Sequence, residues 1–215
     1  MTKPGKRFVT AVGFLAAFVV WTVLVRVVNV QAIGPEGSSV GLAEINRWVH
    51  NMTGVHFALY HITDWLGLVP IGVCMGFGLF GLAQWIKRKS IRKVDRSILV
   101  LGGYYLVVMA VYVFFEVFAV NYRPVLIEGI LEVSYPSSTT MLVLCVMPTA
   151  LMQLNARIKN GILKRCISAV IITFILFLVI GRLVSGVHWV SDIIGGALLS
   201  AGLVILYDAA CKANQ

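Results

Sequence analysis

Six stretches of this 215-residue chain are each long and apolar enough to cross a bilayer, at about residues 8–30, 63–86, 97–121, 137–153, 167–184 and 191–207. A span takes about 20 apolar residues, and only a helix pairs every backbone N–H and C=O inside hydrocarbon. The linkers between these stretches are short, so residues 1–215 read as one six-helix membrane domain with no room for a soluble one. Composition agrees. Charged residues make up 13% of the chain, against about 25% in soluble domains. The first stretch follows Lys6 and Arg7 and is longer than the 7–15 residues of a signal-peptide core, so it reads as a retained span. The predicted fold class is therefore all-α and integral to the membrane.

Between the first two stretches, Leu42, Ile45, Trp48, Val49 and Met52 fall on one helical stripe. This pattern predicts a short amphipathic helix lying at the membrane surface, with Trp48 at headgroup depth. The net charge of +9 could suggest nucleic acid, but in so apolar a chain it points to charge sorted across a bilayer. The end bearing the N-terminus carries 14 of the 18 basic residues, including Lys3 and the runs KRKSIRKVDR (87–96) and NARIKNGILKR (155–165). The positive-inside rule then places both termini in the cytoplasm. Seven of the nine acidic residues fall toward the opposite end. Cys74, Cys145, Cys166 and Cys211 have no CxxC spacing, which suggests plain thiols rather than a disulfide framework or a zinc site.

Three polar clusters interrupt the outer ends of the spans. They are Arg123-Pro124, the segment Tyr135 to Thr140, and the segment Gly181 to Asp192. Polar groups at that depth are costly and mark function. Proline followed by Ser137 starts a helix, and the free N–H groups of such a start bind anions. Arg123 and Arg182 carry permanent charge on planar forks suited to phosphate oxygens. His188 and Asp192 are four apart and share a helix face, where the carboxylate can orient the imidazole as a nucleophile or base. Two arginines, a helix start and an oriented histidine describe a phosphoryl-transfer site. The Gly195-Gly196 pair fits close helix packing.

With those residues in place, the chain resembles the type-2 phosphatidic acid phosphatase family of membrane lipid phosphatases. That family carries K-x6-R-P, then P-S-G-H, then S-R-x5-H-x3-D. Arg123-Pro124 and Pro136-Ser137 match parts of the first two blocks. Arg182, His188 and Asp192 match the third at full spacing, with Gly181 where serine is usual. The resemblance implies a membrane phosphatase that uses no metal or cofactor. His188 would be the nucleophile and Asp192 its orienting acid. Arg123, Arg182, Ser137, Ser138 and Thr139 would hold phosphate.

Two positions differ from the family. Glu116 stands where the lysine would be, and Thr139 where the family has the histidine that protonates the leaving group. A general acid of that kind contributes about 10²–10⁴ in rate. A substrate whose leaving group needs little protonation fits this pattern, and a lipid diphosphate of the undecaprenyl type is favoured. Glu116 is a candidate proton donor, two turns before Arg123 on the same face of the third span and partly in the membrane. His56, His61, Glu128 and Glu132 are others. The expected partners are the bilayer and a lipid phosphate at its outer face. The rival readings are a non-catalytic lipid-phosphate binder or transporter, and a phosphotransferase using the same histidine.

Overall fold

The computed structural model describes residues 4–212; Lys3 lies outside them. The described residues are mainly α-helical, with one two-strand sheet between the first two helices. In chain order it forms α1 (Pro4–Val27), β1 (Gln31–Ala32), β2 (Ser39–Val40), α2 (Ala43–Thr53), α3 (Phe57–Leu66), α4 (Leu68–Arg88), α5 (Arg96–Val117), α6 (Ser138–Arg157), α7 (Gly161–Val184) and α8 (Val190–Lys212). Among the described residues, six segments are long and apolar enough to span a membrane, with α3 and α4 together forming the second.

That second span begins at Phe57, earlier than the expected 63, and is broken at Gly67. The break has a local cause. Pro70 has no N–H to offer the Leu66 carbonyl, so the helix cannot run on unbroken. Gly67 fills the joint because a Cβ there would sit 2.9 Å from the Asp64 carbonyl and 3.1 Å from the Thr139 methyl. The third helix ends at Val117 rather than 121, and residues 118–137 leave the helical path.

Helices α6 and α8 form the centre: half or more of each apolar window is buried, against less than a quarter in the other spans. Close approach depends on small residues. A Cβ at Gly195 would lie 2.7 Å from the Tyr135 ring, and one at Gly196 would touch Thr140. Tyr135 in turn stacks on Phe18 and shares a 2.7 Å hydrogen bond with Thr22. The glycine pair therefore serves packing, as its spacing suggested.

Helix α2 turns Ile45, Trp48 and Met52 outward, 57–68% exposed, as an interfacial stripe requires. Its opposite face has a second task. Asn46, fully buried, accepts a hydrogen bond from Ser191 N (3.1 Å) and donates to Ser191 Oγ (3.0 Å), capping the start of α8.

The basic end is tied by polar groups. Asp95 accepts from Arg88 Nη1 at 2.9 Å and from Gln84 Nε2 at 2.8 Å, and these two hydrogen bonds are the first cause that holds it below the usual carboxylate range. Arg157 donates to Ser97 Oγ at 3.2 Å. Arg7 of α1 pairs with Asp208 of α8, so the first and last helices begin and end at the same end of the bundle.

The glycine packing gives a paired prediction. Gly195→Ala should lower the thermal midpoint in detergent, by an overpacking cost of about 1–3 kcal/mol. Gly13→Ala, at an exposed helical position with nothing within 4 Å of the new Cβ, should leave the midpoint unchanged or raise it. Equal shifts for both would contradict the packing account.

Candidate active site

The 118–137 connection is folded rather than loose. Bridges Tyr122–Val133 and Ile127–Ile130 make a short antiparallel ribbon. Its turn, Glu128-Gly129, has φ of 51° and 80°, the two left-handed residues that suit a tight hairpin. The ribbon sets Arg123 opposite Glu132. Arg123 N donates to the Glu132 carbonyl at 3.0 Å, and the Arg123 Nε lies 2.9 Å from Glu132 Oε2.

The α7–α8 link supplies the second group. Gly186 has φ of 71°, and a Cβ there would strike the Gly54 carbonyl. His56 N donates to the Ser185 carbonyl at 2.9 Å. The link between α2 and α3 therefore clamps the one that carries His188. Arg182 is 1% exposed, His188 3% and Asp192 fully buried. Asp192 is held by Trp189 N (3.0 Å), Ser191 Oγ (3.3 Å) and Asn121 Nδ2 (3.4 Å). His188 Nδ1 faces Asp192 Oδ2 at 3.9 Å, beyond hydrogen-bond length. Such contacts are often long in empty sites and tighten with substrate bound.

Helix α3 contributes three residues that carried no sequence signal. The Tyr60 ring lies beside both arginines, 5.7 Å from the Arg123 guanidinium and 5.0 Å from that of Arg182. Thr63 Oγ1 is 3.5 Å and Asp64 Oδ1 3.2 Å from the Arg182 fork. Glycine at 181 makes this approach possible, since a Cβ there would lie 2.7 Å from the Thr63 methyl. Serine, usual at this position in the family the sequence resembles, would push α3 away.

The start of α6 closes the site. Ser137 is its N-cap but makes no side-chain cap; its N–H donates to the Asp192 carbonyl at 3.2 Å. Ser137 and Thr140 present buried hydroxyls with no hydrogen-bond partner. Thr139 is 7% exposed, its methyl against the Gly67 joint. Ser138, half-buried, lines a small cavity on the side of Tyr135 and Pro136.

Glu116 borders that same cavity, is exposed, and interacts with Tyr112 one turn earlier. Because α5 stops at Val117, Glu116 and Arg123 do not share a helix face as expected. Among the described residues Glu116 forms no ion pair with either arginine. His56, exposed, bonds to the Thr53 carbonyl, and the exposed His61 lies against Tyr60.

Several buried polar atoms have no partner at hydrogen-bond geometry: Arg123 Nη1, Arg182 Nε, and the hydroxyls of Ser137 and Thr140, while the Ser134 main chain lies against His188 and the Ser134 side chain against Asp192. Buried polar groups are normally satisfied. A cluster of unmet donors around an imidazole is a site for an anion with several oxygens. Burial first, then the charges of Arg123 and Arg182, push His188 well below the ordinary histidine range, with the Ser134 main chain acting the other way. Both effects favour the neutral ring over the imidazolium. Among the described residues no group of three or more His, Cys, Asp or Glu side chains could hold a metal ion.

Comparison with known proteins follows this geometry. Residues 118–213 match the PAP2 superfamily. The crystal structure of a transmembrane PAP2-type phosphatidylglycerolphosphate phosphatase from Bacillus subtilis superposes with a TM-score of 0.62. The alignment covers 95% of this chain and 97% of that one, at 17% identity. No curated protein matches the sequence.

The electrostatics predict a pH response. A folded-state pKa below 6.5 means His188 stays neutral as pH falls through 6.5 and protonates only well below it. Between those points the unfolded chain takes up a proton the fold refuses, so stability falls by up to about 1.4 kcal/mol per pH unit. Nitrogen-15 NMR of labelled histidine should show a neutral His188 ring at pH 6. Arg123→Gln should move its titration upward. An imidazolium at pH 6 in the parent protein would contradict the burial argument.

Proposed function

Taking the PAP2-superfamily membrane phosphatase fold as premise, we propose that this chain is an integral-membrane lipid phosphatase that hydrolyses a lipid diphosphate of the undecaprenyl type. The observation that carries this reading is the buried, neutral His188 set among unpartnered guanidinium and hydroxyl donors. A transported solute or a bound headgroup needs the donors but has no use for a desolvated nucleophile.

The chemistry follows from the geometry. Arg123, Arg182, Ser137 and Thr140 hold the oxygens of the terminal phosphate, with Thr139 and Ser138 at the same helix start. His188 Nε2, the nitrogen away from Asp192, attacks phosphorus. An N–P bond forms and the P–O bond to the lipid monophosphate breaks. Asp192 stabilises the positive charge that develops on the ring. Water then attacks phosphorus, the N–P bond breaks, and phosphate leaves. The arginines stabilise the charge on the equatorial oxygens in both steps.

Thr139 bears on the substrate. Its side chain cannot protonate an alkoxide at neutral pH, whereas a lipid monophosphate departs as a stable anion. Room for the lipid lies beside the site. An apolar groove of about 390 Å³ runs along α7 past Leu176, Phe177 and Ile180 to Gly181, with Leu59 of α3 on its other wall. Its lining includes Gly181 and Val184, on either side of Arg182 in the chain. The concentration of basic residues at the opposite end supports cytoplasmic termini and a site facing away from the cytosol, in a bacterial plasma membrane.

Purified protein in detergent should release phosphate from a polyprenyl diphosphate. His188→Ala should abolish both turnover and covalent labelling from a terminally radiolabelled substrate. A polyprenyl monophosphate with the same tail should turn over at least 100-fold more slowly, the low end of what a missing acid costs. Release from no lipid phosphate, with His188→Ala indistinguishable from the parent, would overturn the reading; a preference for the monophosphate would overturn the leaving-group argument.

A further inference from the structure

Each arginine of the site holds a carboxylate: Asp64 lies 3.2 Å from the Arg182 fork, and Glu132 lies 2.9 Å from Arg123 Nε. The exposures within each pair are unequal. The Arg182 and Arg123 side chains are 1% and 9% exposed, whereas those of Asp64 and Glu132 are 52% and 40%. A pair serving stability alone gains nothing from this asymmetry, because a half-exposed acid is already well solvated. An exchangeable pair requires it. The carboxylate can swing into water at little cost, while the guanidinium cannot follow and needs another anion at once.

We propose that Asp64 and Glu132 are place-holding anions. They neutralise the two buried arginines when the site is empty, are displaced by the phosphate oxygens of the substrate, and return to expel product phosphate. This rests on the phosphatase reading above and adds two positioning residues to it. The exchange runs forward because a phosphate dianion brings twice the charge and three oxygens to donors that a carboxylate leaves unmet, namely Arg182 Nε and Arg123 Nη1. It runs backward after hydrolysis because both carboxylates remain tethered beside their arginines, at high effective concentration.

Two independent parts of the fold deliver these acids. Asp64 arrives because Gly181 lets α3 close on α7 and the Gly67 joint ends α3 two residues later. Glu132 arrives on the ribbon strand opposite Arg123.

Equilibrium binding of inorganic phosphate tests this, alongside phosphate inhibition of turnover. Asp64→Asn and Glu132→Gln should each bind phosphate about tenfold more tightly, and the double variant more tightly still, as expected when a competing anion is removed from a charge-assisted site. KM should fall, and kcat should fall with it as release slows. Asp64→Glu should restore the parent values. Unchanged or weaker phosphate binding in well-folded Asp64→Asn and Glu132→Gln, judged by gel-filtration profile and thermal midpoint, overturns the proposal. If these variants fail to fold, Asp64→Glu and Glu132→Asp decide it: phosphate binding at the parent level supports exchange, and weaker binding overturns it. Tighter phosphate binding without hydrolysis of any lipid phosphate would leave the exchange standing and defeat the phosphatase reading instead.

Discussion

Two guanidinium groups buried at one end of a membrane bundle set the terms for the rest of this structure. A buried cation without a partner costs several kcal/mol, and here Arg123 and Arg182 lie close enough to flank one tyrosine ring. Their charges repel, and both disfavour a proton on His188. The fold answers with a ribbon carrying Glu132, a short helix carrying Tyr60 and Asp64, and hydroxyls at the start of α6. None of these groups saturates the arginines. The donors left over are the capacity to bind a multi-oxygen anion.

The same constraint accounts for the architecture around the site. A buried histidine between two cations, with little beyond the Ser134 main chain to hold it, needs a rigid setting. Gly186 pressed against Gly54, Ser185 bonded to His56, and Asn46 capping α8 at Ser191 fix the α7–α8 link from the α2 side. Trp189 donates to the Tyr122 carbonyl and fixes it from the ribbon side. Helix α2 is therefore both an interfacial float and a brace, with Ile45 and Trp48 serving one role and Asn46 the other.

Much of this was legible in the chain. Apolar run length located six spans, because the bilayer imposes one dominant length scale. Arg182, His188 and Asp192 were legible because they lie within eleven residues of chain, although His188 precedes α8 and so does not share a helix face with Asp192 as its spacing suggested. Tyr60, Thr63 and Asp64 were not. They meet Arg182 across 118 or more residues of chain, and a span located by apolar run length does not say which of its residues face a distant arginine. The helix face that Glu116 and Arg123 were expected to share is not formed, for a related reason. Apolar residues continue through Val120, so composition extends a helix that the backbone ends at Val117, and the residues counted as one face point elsewhere.

Two departures from the family pattern acquire a common cause once α3 is in place. At position 181 a side chain would collide with Thr63. At position 139 the threonine methyl packs on the Gly67 joint that ends α3. Both sites touch the same short helix, one on each side of Asp64. A serine at the first would move the helix away from Arg182, and an imidazole at the second would have to find room beside the joint. The close approach of α3 to Arg182 thus accounts for both departures at once: glycine at 181 and a short side chain at 139 leave the helix and its joint the room they occupy.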